Sequence, residues 1–495
     1  MNIQNNNNWL EFDEIPEPKM INFGTGNGSG SKLLQSYLDG HPEIYMIPGY
    51  QLLYFYPHWY QWKEELKDNW NWKSIIDIFC IKHASVIDSR RIPANDGMAN
   101  LGKTRDQWLE LDETLFKNYL LHLIKNKPFS SRIFLLAVHY AYSYCRNEDL
   151  LVKKCLVYHI HVHEYVPKYL EKDFPDMLTI AMVRDPRSNI DGRYRSTVKL
   201  DAQKLDYTDS TVYLRRTYYF IWEYLFESMQ CLKNLPPENV RVVRHEDMHY
   251  SLKELMHSIA NFLGISFHKK LLECTFGGLL WWGSNIYSMQ PMNKPNPRVI
   301  SMDWQKKINH VDWFVIEGLF HDYILKYGYQ LSKHKSHTIL NRVVLCLFMI
   351  LPSSYEIEVL LKYINPKNFI NLLNNSYHEF TGIVVLKDYT FNAYYRHKWY
   401  NRGLNLWEEK WHKKMIFSFL RLSSQNSNLI LRKILLFGSC QIYLMANSMR
   451  YLFALFVYPF WILKRILLST KVFLRLLSQD NCLPKPIMAN TNNNS

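Results

Sequence analysis

The alternation of apolar and polar positions along this chain predicts one unit, strand then turn then helix, several times over. The first residues of 20–43 suit a short buried strand. Gly24, Gly26, Gly28 and Gly30 then fall at alternate positions, and Leu33, Leu34, Tyr37 and Leu38 share one face of a helix over 31–38. Asp39, Gly40 and Pro42 stop that helix. Residues 156–164 alternate with period two, which places His159, His161 and His163 on one face of a strand. An apolar strand over 175–183 runs into Arg184-Asp185-Pro186-Arg187, where Pro186 suits the opening turn of a helix. A further strand over 239–248 precedes an amphipathic helix over 252–262 that closes at Gly264. Strands that each lead into a helix predict an α/β fold with a parallel sheet. Its ligands would sit at the carboxyl ends of the strands, where the glycine turn and Arg184 both fall.

Between these units the pattern is helical. Residues 48–155 are rich in Tyr, Trp, Leu and Ile at helical spacing, as in Trp108, Leu111, Leu115, Tyr119, Leu120 and Leu123, and read as a helical layer. Its aromatic residues read as core in preference to sugar platforms. The polar break 89–104 predicts a long loop able to line a pocket. After 277–283 come a polar loop at 292–298 and a helix from Trp304 to Tyr327-Gly328-Tyr329. The organisation expected is an Asn-rich disordered tail over 1–19, an α/β body over 20–330 with a helical insert at about 50–155, a mostly helical basic region over 331–480, and a second disordered tail over 481–495.

Composition sharpens this outline. At 495 residues, 47% hydrophobic and 15% aromatic, the chain can bury a substantial core. Eight scattered cysteines without a Cys-x-x-Cys pair suit a reducing compartment better than a disulfide scaffold or a zinc site. The polar, acidic first residues lack the basic and apolar regions of a signal peptide, so a cytoplasmic location is expected. Charge is unevenly placed: residues 1–330 hold 38 Lys+Arg against 38 Asp+Glu, whereas residues 331–495 hold 21 against 7. A neutral body joined to a basic region implies that this region meets something anionic.

The longest apolar runs there, 343–351 and 451–463, fall short of the about 20 residues a membrane span needs. Lys464, Lys471, Arg475 and Ser478 mark one face of a helix whose other faces are aliphatic. The pattern predicts peripheral association of residues 396–478 with an anionic membrane surface. Nucleic acid is disfavoured, because the cations alternate with aliphatic runs.

The candidate chemistry starts at the glycine turn. Glycines let backbone amides converge on one point, and the helix start behind them adds partial positive charge, so the turn suits an anion such as phosphate. The Walker pattern of kinases and ATPases needs Gly-Lys followed by Ser or Thr, but here Ser31 precedes Lys32 and Leu33 follows it. Arg184 offers a guanidinium fork at the second turn. The three histidines fit a metal site, a general base in a cleft, or hydrogen-bonded structural roles; no further ligand spacing accompanies them, which disfavours metal. Glu246 and Asp247 are placed to hold the neighbouring loop by hydrogen bonds.

Taken in order, Gly28-Ser-Gly-Ser-Lys-Leu-Leu34 with Asp39-Gly-His-Pro42, Phe174-Pro-Asp176, Val183-Arg-Asp-Pro-Arg187, Arg244-His-Glu-Asp-Met248 and Phe262-Leu-Gly264 resemble the nucleotide sulfotransferase family over about residues 20–330. Trp304 and the closing Tyr-Gly-Tyr fit as well. The resemblance implies a P-loop-like nucleotide-binding turn for 3′-phosphoadenosine 5′-phosphosulfate (PAPS). The implied donor-binding set is Asn27, Gly28, Ser29, Gly30, Ser31 and Lys32, with Arg184 on the 3′-phosphate and Ser196, Lys294 and Arg298 in support. It implies His161, with His163 as its rival, as the base, Lys32 as the loop cation and no metal; the membrane-suited basic region and the aromatic insert, not the resemblance, point to a hydroxyl of a carbohydrate or lipid-linked glycan as acceptor. Three positions depart from the family: Gly28 replaces an Arg or Lys, Gly192 replaces a Ser eight residues after Arg184, and 47–51 lacks a carboxylate. The first of these leaves open a catalytically degenerate binding or scaffold protein on the same fold.

Overall fold

The computed structural model describes residues 9–25, 28–52, 55–91, 97–161, 166–194, 238–283, 302–306, 308–331, 339–351 and 483–488, with single positions at 232, 292, 299 and scattered between 430 and 474. The N-terminal part gives β1 (Lys19–Thr25), α1 (Ser31–Leu38) and β2 (Ile44–Met46), then helices α2 (Phe55–Leu66), α3 (Trp72–Lys82), α4 (Ala84–Ile87), α5 (Glu113–Ile124) and α6 (Ser131–Cys145). There follow β3 (Cys155–His161), α7 (Val166–Asp173), β4 (Leu178–Val183), α8 (Pro186–Tyr194), β5 (Val240–Arg244), α9 (Asp247–Tyr250) and α10 (Leu252–Leu263). A hairpin of β6 (Thr275–Phe276) and β7 (Leu279–Leu280) precedes α11 (His310–Leu319), α12 (His321–Lys326) and α13 (Ile339–Ile350).

Five strands form one parallel sheet in the order β2-β3-β1-β4-β5, which confirms the α/β class. Both faces are covered, so alternate residues of each strand enter different cores. Ile21 and Phe23 of β1 join Val157 of β3 and Ile180 of β4 under α1 and α10, while Leu156 and Tyr158 of β3 point into the insert. The insert core is built from Phe55, Trp59, Trp62, Trp72, Phe79 and Phe134, so these six aromatics are interior packing.

Several boundaries differ from the sequence pattern. The apolar series beginning at Trp108 becomes helical only at Glu113, because Asp112 accepts a hydrogen bond from Leu115 N at 3.0 Å and caps the helix. Trp108 lies outside it, exposed, beneath the Arg90 guanidinium. The helix expected from Trp304 to Tyr327 is a 3-10 turn (Asp303–Lys306) followed by α11 and α12 with a break at Phe320.

Both terminal tails need correction within the described residues. Trp9 Nε1 donates to the Tyr144 hydroxyl at 3.1 Å and Ile15 is buried in the insert core, so 9–18 pack as part of the body. At the other end Val242 N donates to the Lys485 carbonyl at 3.0 Å and Ile487 N to the Val242 carbonyl at 2.8 Å, which lays 485–487 parallel to β5. Leu483 is buried there, and the Asn-rich composition of the flanks had masked these anchors. Among the described residues no helix is long and apolar enough to cross a membrane.

Candidate functional site

Because all five strands are parallel, their carboxyl ends share one edge of the sheet. Register places Thr25 beside His161 of β3 on one side and Met182 of β4 on the other, so the glycine turn leaves the sheet between the ends of β3 and β4. Gly28 and Gly30 have φ of 83° and 85°, the left-handed region that glycine enters without strain. Gly30 has a second constraint: a Cβ there would lie 2.2 Å from His245 Nδ1. Its carbonyl accepts from Leu33 N at 3.0 Å and Leu34 N at 3.1 Å, and so starts α1. The start of α1 therefore lies at this edge, and the partial positive charge of a helix N-terminus is the ordinary setting of an anion site.

Side chains close around this turn. Ser29, Ser31 and Lys32 are buried. The Lys32 ammonium stands over the Tyr50 ring at 4.9 Å from its centroid, and the Tyr50 hydroxyl lies 3.4 Å from Ser31 Oγ. Tyr50 also packs on His159 at 4.4 Å between centroids. His159 Nδ1 meets Gln35 Oε1 at 3.2 Å and Gln35 Nε2 donates to the Ile47 carbonyl at 3.2 Å, so this histidine ties β3 to α1. His161 ends β3 two residues on, adjacent to Thr25, and its side chain lies outside the described residues.

On the β4 side Arg184 donates from Nε and Nη2 to Ser188 Oγ at 3.2 and 2.9 Å, and from Nη1 to the Gly28 carbonyl at 3.3 Å. The second turn and the first are therefore in direct contact. A Cβ at Gly192 would stand 3.6 Å from Arg184 Nη1, an ordinary contact, so position 192 faces the guanidinium although it offers no hydroxyl. Ser188, one helical turn after Arg184, supplies one. Glu246 accepts from Asp185 N at 3.0 Å and from the Tyr329 hydroxyl at 2.8 Å, and burial raises its carboxyl above the usual range. Asp247 pairs with Arg244. Both carboxylates hold the framework.

His245 lies behind Gly30 with its Nδ1 buried and without a partner among the described residues. Burial, then Arg184 and His249, push its imidazole well below the ordinary histidine value, so it is neutral here. At its far end α1 is held by Asp39, whose carboxylate accepts from Thr275 Oγ1, Gly277 N and Gly278 N, each at 2.9 Å. No group of His, Cys, Asp and Glu suited to a metal ion occurs among the described residues.

Of the residues singled out from the sequence, the structure brings Gly28, Ser29, Gly30, Ser31, Lys32 and Arg184 together. Asn27, His163, Ser196, Lys294 and Arg298 lie outside the described residues. Tyr50, Ser188 and His245 were not foreseen. Only Ser188 had a readable signal, the four-residue helical spacing from Arg184.

The sequence model of the sulfotransferase family matches residues 27–269, from the glycine turn to the end of the segment after α10. This segment belongs to the sulfotransferase family. No curated protein matches the sequence. Three solved structures are similar to this chain. A sulfotransferase domain from the Synechococcus PCC 7002 olefin synthase shares 15% identity, covering 64% of this chain and 97% of that one, with a TM-score of 0.37. One from the curacin biosynthetic pathway shares 18%, covering 64% and 99%, at 0.36. Sulfotransferase STF9 from Mycobacterium avium shares 11%, covering 65% and 80%, at 0.32.

Proposed function

We propose that this chain transfers a sulfuryl group from PAPS to a hydroxyl of a carbohydrate or lipid-linked glycan, at the cytoplasmic face of a membrane to which its basic region binds. The observation that carries the donor assignment is the contact of two anion-suited turns, Gly28–Gly30 heading α1 and Arg184 at the end of β4. One phosphate-rich ligand spans such a pair. Glycine φ values, the start of α1 and the buried hydroxyls of Ser29 and Ser31 suit a doubly charged group, and Arg184 with Ser188 suits a second.

In this reading PAPS supplies an activated sulfuryl group. The first-turn amides and Lys32 hold its phosphosulfate and neutralise the charge that grows on the departing nucleotide. His161, at the strand end beside Thr25, takes the proton from the acceptor hydroxyl as its oxygen attacks sulfur, with His163 as the alternative base. The acceptor class is supported by the basic, apolar C-terminal region, which favours substrates presented at a membrane. The buried aromatics of the insert give it no support, since they are core.

Gly28 supports a second reading, a donor-binding protein without turnover, because no cation stands at the head of the turn. Calorimetry with 3′-phosphoadenosine 5′-phosphate tests the shared part: wild type binds and Arg184→Ala binds far more weakly, and no binding by wild type sinks both readings. Transfer of labelled sulfate to a glycan extract separates them. Unchanged transfer in both His161→Ala and His163→Ala refutes the histidine base.

A further inference from the structure

The outer side of α13 carries apolar side chains that do not join the core it shares with α11. On α13, Leu345 and Met349 are buried with Val315, Ile316 and Leu319 of α11. Leu345 lies so close to Gly318 that a Cβ there would meet its Cδ2 at 2.6 Å. Half a turn round the same helix, Val343 and Leu347 face outward, Leu347 with 59% exposure. The Ser469 hydroxyl donates to the Cys346 carbonyl at 2.8 Å, which sets a helical position of the basic region against α13 while Leu467 and Leu474 stay exposed. Described helical positions between 430 and 445 add exposed apolar side chains, with Ile434 and Phe437 at 60% and 67% exposure.

We propose that this surface, with α13 as its fixed part, docks on a bilayer bearing anionic headgroups. The inference rests on the membrane part of the proposed function and names the face that makes contact. Charge selects the occupant. The whole formal surplus of 14 positive charges falls after residue 330, in the same third of the chain as the exposed apolar positions. A second copy would bring the same basic region against itself and be repelled, whereas an anionic lipid surface takes both the cations and the apolar side chains. The basic region is also tied down at both ends, by α13 on α11 and by 485–487 on β5. Docking therefore presents the body to the lipid surface from a fixed side instead of from the end of a loose tether.

The test is co-sedimentation of the full chain with vesicles of phosphatidylcholine alone or mixed equally with phosphatidylserine. Three proteins are compared: wild type, Val343→Asp/Leu347→Asp, and Lys464→Glu/Lys471→Glu/Arg475→Glu. Wild type sediments with the anionic vesicles. The α13 variant, altered only at exposed positions, loses about tenfold or more in partitioning while keeping its affinity for 3′-phosphoadenosine 5′-phosphate. If it sediments like wild type while the charge variant does not, the α13 face is wrong and the membrane reading survives. Failure of wild type to sediment with either vesicle overturns both. A wild-type dimer by light scattering that the α13 variant converts to monomer, without vesicle binding, assigns the face to self-association and also overturns the proposal.

Discussion

Gly30→Ala tests whether the glycine turn is held from behind by His245. Two costs are legible. An L side chain at φ 85° carries the left-handed penalty, about 1–2 kcal/mol. Its Cβ would also sit 2.2 Å from His245 Nδ1 and 2.8 Å from Cε1, so the imidazole must move within a packed site, an overpacking cost of about 1–3 kcal/mol. The sum is about 2–5 kcal/mol in wild type. In a His245→Ala background only the backbone term remains, which leaves a coupling of about 1–3 kcal/mol between the two positions. Gly264→Ala serves as control, since φ there is 71° and nothing lies within 4 Å of the added atom, so the cost is about 1–2 kcal/mol in either background. Urea unfolding of the six proteins measures these terms. Equal costs of Gly30→Ala in both backgrounds, with coupling under about 0.5 kcal/mol, would refute the argument that His245 shapes the turn.

Further outcomes follow from the same geometry. Ser188→Ala removes the oxygen that Arg184 Nε and Nη2 share and weakens calorimetric binding of 3′-phosphoadenosine 5′-phosphate about tenfold; Gly192→Ser, which has room beside Nη1, restores part of it. Asp39→Ala strands the amides of Gly277 and Gly278 and costs about 3–5 kcal/mol in urea unfolding; a cost under about 1 kcal/mol would show that the hairpin does not depend on it. Burial lowers His83 and His139 to about 4, so each binds its proton more readily in the unfolded chain. Stability is complete above the ordinary histidine value and falls as pH drops from about 6.5 towards 4, with a flatter slope in His139→Leu.

The sequence showed what depends on local spacing and hid what depends on where distant segments meet. Alternate glycines followed by Leu33, Leu34, Tyr37 and Leu38 can form little but a turn and an amphipathic helix, so that unit was legible. β2 was not, because Ile44–Met46 has no period of its own and is a strand only through pairing with β3. Trp9 and Leu483 sit beside polar tails, and only when the insert reaches Trp9 does it pack on the core and only when β5 reaches Leu483 is that residue buried. In the site, the Arg-Asp-Pro-Arg run marked Arg184, but the contact of its guanidinium with Gly28, 156 residues away, belongs to the sheet order alone. Tyr50 read as an empty position where a carboxylate was missing, and its value lies in three neighbours from α1 and β3.

The strand-like segment 485–487 has a consequence for synthesis. A sheet edge is a row of unpaired amides and carbonyls open to any other extended chain. Here the β5 edge is covered by residues 485–487, which follow the entire basic region in the chain. While the chain is being made, the nascent body carries an open edge, and its pairing closes one of the longest loops the fold contains. Val242 can find Lys485 and Ile487 only after the basic region has been synthesised, so the β5 edge is covered by a contact made later than the pairing of the sheet's own strands.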